Sequence, residues 1–198
     1  MAYHNIILVL FLSFFCSGYC NTFFYFAYGS NLVGKRLKIS CPSAKYYGVA
    51  NLQGYRLDFN QYSERWNGAA ATIVEDSQEH VYGAVWIIDE MDMPKLDQQE
   101  GVADGFYYAK NVTVVSEDGK NITARTYEET TIPPKRKPFE DLPYERRPSS
   151  TYLEVMIFGG YESRLPSDYI SFLVSFPSNK LLAPDAIRIE LGYPFGPK

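Results

Sequence analysis

Short apolar and β-branched runs recur along the chain with turn residues between them, and their spacing sets the plan of elements. Residues 23–28, 45–59, 70–75, 81–88, 106–115 and 121–127 read as six strands. Between the fourth and fifth lies DEMDMPKLDQQEGVADG, which predicts a short helix: Asp89 or Asp92 can cap it, Pro94 falls in its first turn and a glycine ends it. Residues 167–176 place Tyr169, Ile170, Phe172, Leu173 and Phe176 at helical spacing after Leu165-Pro166, a second helix. Strands dominate and helices punctuate. The pattern predicts an α+β fold with a mixed or antiparallel sheet rather than repeated βαβ units.

Two stretches break the pattern. TIPPKRKPFEDLPYERRPSS, residues 131–150, holds five prolines and a local basic run. Proline removes ladder donors and fixes φ, so an irregular, solvated surface loop is expected, in preference to a basic docking segment. From Pro177 onward only DAIRIELG shows a period, and residues 177–198 read as an appended tail. The length of 198 residues suits one domain, assigned to residues 21–176.

At the start, IILVLFLSFF (6–15) is a short apolar run followed by small residues, the pattern of a secretory leader over residues 1–20 and too short to cross a bilayer. A secreted, extracellular protein with no membrane contact after leader removal is therefore expected. Cleavage after Cys20 would leave Cys41 a lone thiol, whereas cleavage after Gly18 would leave Cys20 and Cys41 able to pair. On the secretory route Asn111 and Asn121, each opening an Asn-x-Thr sequon, become glycan acceptors. Asp118-Gly119 suggests a two-residue hairpin turn that pairs 116 with 121 and 111 with 126, which would put the two asparagines on opposite faces. Asn121, near the tip, is the more accessible acceptor.

Charge and residue inventory narrow the chemistry. A net charge of −4 without a basic stripe in the first 130 residues argues against nucleic acid as a partner. His4 and His80 are the only histidines, so a histidine triad would need His80, which reads as an exposed residue before a strand. No zinc-ligand spacing and no phosphate or dinucleotide glycine pattern occurs, so neither metal nor cofactor is expected. What remains is chemistry that a carboxylate, tyrosines and backbone amides can perform.

FFYFAYGSNL (23–32) concentrates that question. A strand of large rings stops at Tyr28-Gly29-Ser30-Asn31 and turns toward a helix. Gly29 is expected to take a backbone conformation other residues avoid, exposing successive N–H groups to an anion. On its own the tetrapeptide is also an ordinary turn. Together with ANLQGYRLDF, GAAATIV, VYGAVW, LDQQEGV and GFYYAKNVTVV, in that order and spacing, it closely resembles the γ-glutamylcyclotransferase family. The resemblance is dense over residues 23–127 and thins to TYLEVMIFGGYESRLP around Tyr152, with the proline-rich loop as a departure. The YGSN form resembles the γ-glutamyl-amino-acid branch more than the γ-glutamylamine or glutathione-specific branches.

The resemblance implies a small mixed or antiparallel β-barrel with flanking helices and an enzyme that cyclises a γ-glutamyl group to 5-oxoproline, expelling an amino acid. The substrate carries its own nucleophile, its α-amine, so the protein mainly bends the substrate and moves protons. By the same resemblance Glu100 is the proton carrier, the amides of Tyr28 to Asn31 with the Ser30 hydroxyl hold the α-carboxylate or the carbonyl oxygen, and Tyr107 and Tyr152 line the pocket. The implied partner is a small-molecule γ-glutamyl substrate; a homodimer stays open. Two rival readings are cleavage of γ-glutamylamines such as γ-glutamyl-ε-lysine, and a secreted binding glycoprotein that keeps the fold without turnover.

Overall fold

The computed structural model describes residues 21–135 and 142–197; the expected leader and Cys20 lie outside them, as does part of the proline-rich loop. Five strands form a closed barrel in the order β1-β3-β2-β4-β5. They are β1 (Thr22–Ala27), β2 (Lys45–Ser63), β3 (Gly68–Asp89), β4 (Tyr107–Ser116) and β5 (Asn121–Glu129). Neighbours run antiparallel except β1 and β5, which close the barrel in parallel at Tyr25 opposite Arg125. A closed mixed barrel with helices outside it is the expected α+β architecture.

The pattern divided β3 into two strands, but it is continuous over 22 residues. Its pairing with β2 shifts between Gln53↔His80 and Tyr55↔Glu75, so the polar residues Asp76–Glu79 protrude as a wide bulge opposite Gly54. Hydrophobic periodicity lapses there because the bulge faces solvent, while the strand goes on. His80 is exposed within it.

The β4–β5 hairpin also departs from expectation. The Gly119 N–H donates to the Ser116 carbonyl (2.9 Å) and the Ser116 N–H to the Lys120 carbonyl (2.9 Å), with Gly119 at φ +79°. That is a three-residue loop, a turn followed by a left-handed glycine, rather than a two-residue one. The extra residue moves the register by one, so that Val115 pairs with Asn121 and Asn111 with Arg125. Asn111 and Asn121 therefore share one face of the hairpin, and both are exposed.

Among the described residues five α-helices flank the barrel: α1 (Gly34–Ser40), α2 (Met93–Gln99), α3 (Ser150–Glu162), α4 (Ser167–Val174) and α5 (Asp185–Leu191). α3 buries Thr151, Tyr152, Leu153, Val155, Met156, Gly159 and Gly160, so it is apolar on most sides and shows no helical stripe to read. Ser149 starts it by accepting the Tyr152 N–H at 3.1 Å. At Gly159 a Cβ would lie 2.6 Å from the Leu32 Cβ and 2.9 Å from the backbone at Leu32 and Val33, so α3 presses on the segment that follows β1.

Asp92 occupies the N-cap position of α2, but its side chain makes no capping hydrogen bond to the helix. Asp92 instead accepts the Ser43 N–H (3.1 Å) and hydroxyl (2.7 Å), tying the helix start to the segment after α1. The described part of the proline-rich loop is irregular, but it is not only a surface loop. Leu142, Arg146 and Ser149 are buried. Arg146 pairs with buried Asp58 (2.5 Å) and donates to the carbonyls of Phe59 (2.9 Å) and Pro134 (3.1 Å). One guanidinium thus ties a β2 carbonyl to a carbonyl of the proline-rich segment, which has no ladder partner of its own. The C-terminal segment packs on the domain through buried Ala183, Leu191 and Phe195.

Candidate active site

β1 delivers Tyr25 and Tyr28 to one end of the barrel, and the chain then enters a 3-10 turn at Ser30–Leu32. Its hydrogen bonds run from the Leu32 and Val33 N–H groups to the Gly29 and Ser30 carbonyls. The N–H groups of Gly29, Ser30 and Asn31 precede those bonds and have no acceptor within the turn. Gly29 itself has φ −107° and ψ −140°, which is not the left-handed region but falls outside the regular helical and extended regions. Its requirement is space: a Cβ would meet the Tyr152 hydroxyl at 3.1 Å.

Glu100 arrives from the other side as the residue capping α2 at its C-terminus. Gly101, at φ +65°, donates to the Gln98 carbonyl (3.1 Å), and the Val102 N–H reaches the Asp97 carbonyl (3.1 Å). This paired arrangement is what a left-handed glycine after a helix permits, and it fixes the backbone at Glu100. An Arg125–Asp97 ion pair (2.6 Å), with the Tyr127 hydroxyl donating to the same Asp97 oxygen, moors α2 to β5.

Seven residues picked out by motif, Tyr28, Gly29, Ser30, Asn31, Glu100, Tyr107 and Tyr152, line one cavity of about 310 Å³ together with Tyr25, Ala71 and Tyr127. Asn111 and Asn121 lie away from it on the β4–β5 hairpin. The side chain of Asn31, rather than its amide alone, reaches the acid: its Nδ2 donates to Glu100 Oε1 (2.9 Å) and to the Tyr25 hydroxyl (3.0 Å). Gln99 Nε2 donates to the same Oε1 (3.0 Å) and to Asn31 Oδ1 (3.1 Å). Among the described residues no protein donor reaches Oε2. Burial raises the Glu100 carboxyl above the usual carboxylate range, opposed by the nearby Arg36 charge and by the Gln99 and Asn31 hydrogen bonds.

The phenols around the acid stay protonated, since burial and the neighbouring carboxylate raise Tyr25, Tyr28 and Tyr107 well above their ordinary value. Two of them are committed inward, Tyr28 to the Tyr127 carbonyl (2.5 Å) and Tyr107 to the Ala71 carbonyl (2.6 Å). Tyr152 differs. Its hydroxyl accepts the Ala71 N–H (3.2 Å), and among the described residues its own proton has no protein acceptor, which leaves it free for a bound molecule. Its ring packs against Trp66 with centroids 4.6 Å apart and planes tilted by 36°. Nearby Cys41 is a buried free thiol that burial pushes up to about 12.

Motif reading missed Tyr25, Gln99, Tyr127 and the Asp97–Arg125 brace. Gln99 stood inside LDQQEGV beside the acid; Tyr25 and Tyr127 looked like ordinary strand aromatics. No local signal separates a ring that packs from a ring whose hydroxyl faces a cavity.

The AIG2-like family matches residues 80–173 of the chain. A γ-glutamylcyclotransferase of Bos taurus is 40% identical over 162 residues, covering 80% of this chain and 80% of that protein. One of Homo sapiens is 36% identical over 173 residues, covering 85% of this chain and 86% of its own length. A solved structure described as a γ-glutamyl cyclotransferase superposes with a TM-score of 0.76 at 33% identity, over 87% of this chain and 100% of that one. With a relative this similar over four-fifths of both chains, the protein belongs to the γ-glutamylcyclotransferase family.

Proposed function

We propose that this enzyme converts γ-glutamyl amino acids or small γ-glutamyl peptides to 5-oxoproline and a free amino acid, with Glu100 as the proton carrier. The observation that carries the reading is the half-buried Glu100 carboxylate, held at one oxygen by Asn31 and Gln99 and set in the same cavity as the Gly29–Asn31 turn. Its family relatives bear the name of this activity.

In the reaction the substrate α-amine loses a proton to Glu100 and its nitrogen attacks the γ-carbonyl carbon, forming the ring C–N bond. The amide C–N bond then breaks as Glu100 returns the proton to the departing nitrogen. Atoms and charge balance without an added water. A carboxyl raised above its ordinary range is a stronger base for the first transfer and a ready acid for the second. The N–H groups of Gly29–Asn31 and the Tyr152 hydroxyl supply donors to the negative oxygens of the bent substrate. Bending a flexible chain into attack geometry recovers part of the roughly 7–11 kcal/mol available to the best-oriented ring closures.

The YGSN sequence of the turn supports the γ-glutamyl-amino-acid branch. The deciding experiment measures 5-oxoproline released from γ-glutamyl dipeptides by wild type and Glu100→Gln. Release should fall at least about 100-fold in the variant, the scale of a lost general acid–base. Equal release would remove Glu100 from the mechanism. Secretion with glycans on Asn111 and Asn121 is part of the same reading. Its support is the leader-like sequence and the exposure of both asparagines on one face. Intact mass of protein collected from a secretory host, compared with Asn111→Gln and Asn121→Gln, tests it.

A further inference from the structure

Outside the catalytic cavity lies a second, more open chamber of about 680 Å³. It shares Ser30, Glu100, Tyr107 and Tyr152 with the first, so the two communicate around the acid. The outer chamber adds Arg36, Arg65, Trp66 and Phe106 to its wall, with Asp104 as a further acidic group. α1 supplies Arg36, and the turn joining β2 to β3 supplies Arg65 and Trp66.

The two guanidiniums are under-satisfied. Arg36 is only 3% exposed, yet its one hydrogen bond goes from Nη1 to the neutral Gln99 amide (2.9 Å). It makes no ion pair among the described residues, and its Nε is buried without a partner. Arg65 pairs with Glu190 through Nη2 (2.6 Å), but its Nε is also buried and unpartnered. Arg65 lies close enough to destabilise the Arg36 charge, adding to the cost of burial. Arg36 is thus a buried cation that feels the Glu100 and Glu190 carboxylates but forms an ion pair with neither among the described residues, and a buried charge left so is expensive; Arg65 beside it is partly exposed and holds Glu190 by one nitrogen only. Such a pair is expected where an anion binds.

We propose that Arg36 and Arg65 form the carboxylate subsite for the leaving group, which selects γ-glutamyl conjugates of α-amino acids over those of simple amines. This rests on the cyclotransferase reading above. In a γ-glutamyl-α-amino acid the departing carboxylate carbon is two bonds from the scissile nitrogen. It must therefore lie near the group that protonates that nitrogen, and on the side opposite the γ-glutamyl moiety. Glu100 borders both chambers, so a substrate bent in the inner one places this carboxylate in the outer one. The planar guanidinium fork fits a carboxylate with paired N–H···O bonds. Trp66 and Phe106 offer apolar surface to the departing side chain.

The test compares γ-glutamyl-alanine with γ-glutamyl-alaninamide, which differ only in that charge, as substrates of wild type, Arg65→Gln and Arg65→Lys. Wild type should prefer the carboxylate in kcat/KM by at least about 10-fold, the scale of a hydrogen-bonded charge. Arg65→Gln should shrink that preference mainly through KM, and Arg65→Lys should restore part of it. Equal turnover of both substrates by wild type overturns the subsite, and so does an unchanged preference in Arg65→Gln. If Arg65→Gln does not fold, inhibition of wild type by free alanine but not by alaninamide supports the subsite, and equal inhibition sinks it. Turnover of neither substrate instead overturns the cyclotransferase reading, and the subsite with it.

Discussion

Asn31 Nδ2 donates to Glu100 Oε1 across 2.9 Å, joining two residues 69 positions apart in the chain. This contact fastens the turn after β1 to the end of α2 and holds one carboxylate oxygen in place, while the other stays free of protein donors among the described residues.

Because Asn31 donates to the ionised acid, removing it should disfavour the charged form. In Asn31→Ala the Glu100 carboxyl then rises further, and the acidic limb of the kcat/KM profile moves to higher pH. A hydrogen bond to a charged group contributes roughly 1.5–3 kcal/mol, so activity on the acid side should drop by about 10-fold or more. The pH–rate profile of 5-oxoproline release checks both. A limb that stays put or moves to lower pH would show that Asn31 does not bear on the proton carrier.

Tyr107 spends its hydroxyl proton on the Ala71 carbonyl, whereas Tyr152 keeps its own for the cavity. Tyr152→Phe should therefore lower kcat/KM more than Tyr107→Phe, while Tyr107→Phe should cost more thermal stability, about 1 kcal/mol for the lost buried hydrogen bond. Steady-state kinetics and melting curves on the two variants decide it. The reverse order of catalytic effects would contradict the assignment.

Gly159 has no room for a methyl group, since the Leu32 and Val33 backbone sits 2.9 Å from where its Cβ would be. Gly159→Ala must push α3 away from the turn that carries the Gly29–Asn31 amides. Overpacking of this kind costs about 1–3 kcal/mol. The variant should melt lower and also bind substrate more weakly, although residue 159 is not among those lining the cavity. A variant with wild-type Tm and KM would disprove the coupling.

Glu129 is 1% exposed, and burial pushes its carboxyl from 4.5 to about 7. Raised in the fold relative to the unfolded chain, it keeps a proton in the native state that the unfolded chain has released. The Glu129 contribution to stability is therefore fully present below about pH 4.5 and is lost as pH rises toward about 7, by at most about 3 kcal/mol. Glu129→Gln cannot ionise and should flatten that segment of the Tm–pH curve. Identical slopes for the two proteins between pH 5 and 8 would exclude it.

The sequence by itself determined most of the strands, the α2 and α4 helices and the family, because alternation and turn residues are local and the family motifs are short runs. It also placed Glu100 at a helix end, where Gly101 is needed in a left-handed conformation. It could not see α3, whose apolar residues surround the helix instead of striping it, nor the single-residue register shift that brings Asn111 and Asn121 to one face. Only the tertiary structure decided which tyrosine hydroxyls face a cavity and which are tied to a carbonyl. It alone showed that Asn31 acts through its side chain and that Arg36 and Arg65 share one chamber. These depend on contacts between segments about 30 to 100 residues apart, and an amino acid's type carries no record of what the closed barrel brings beside it.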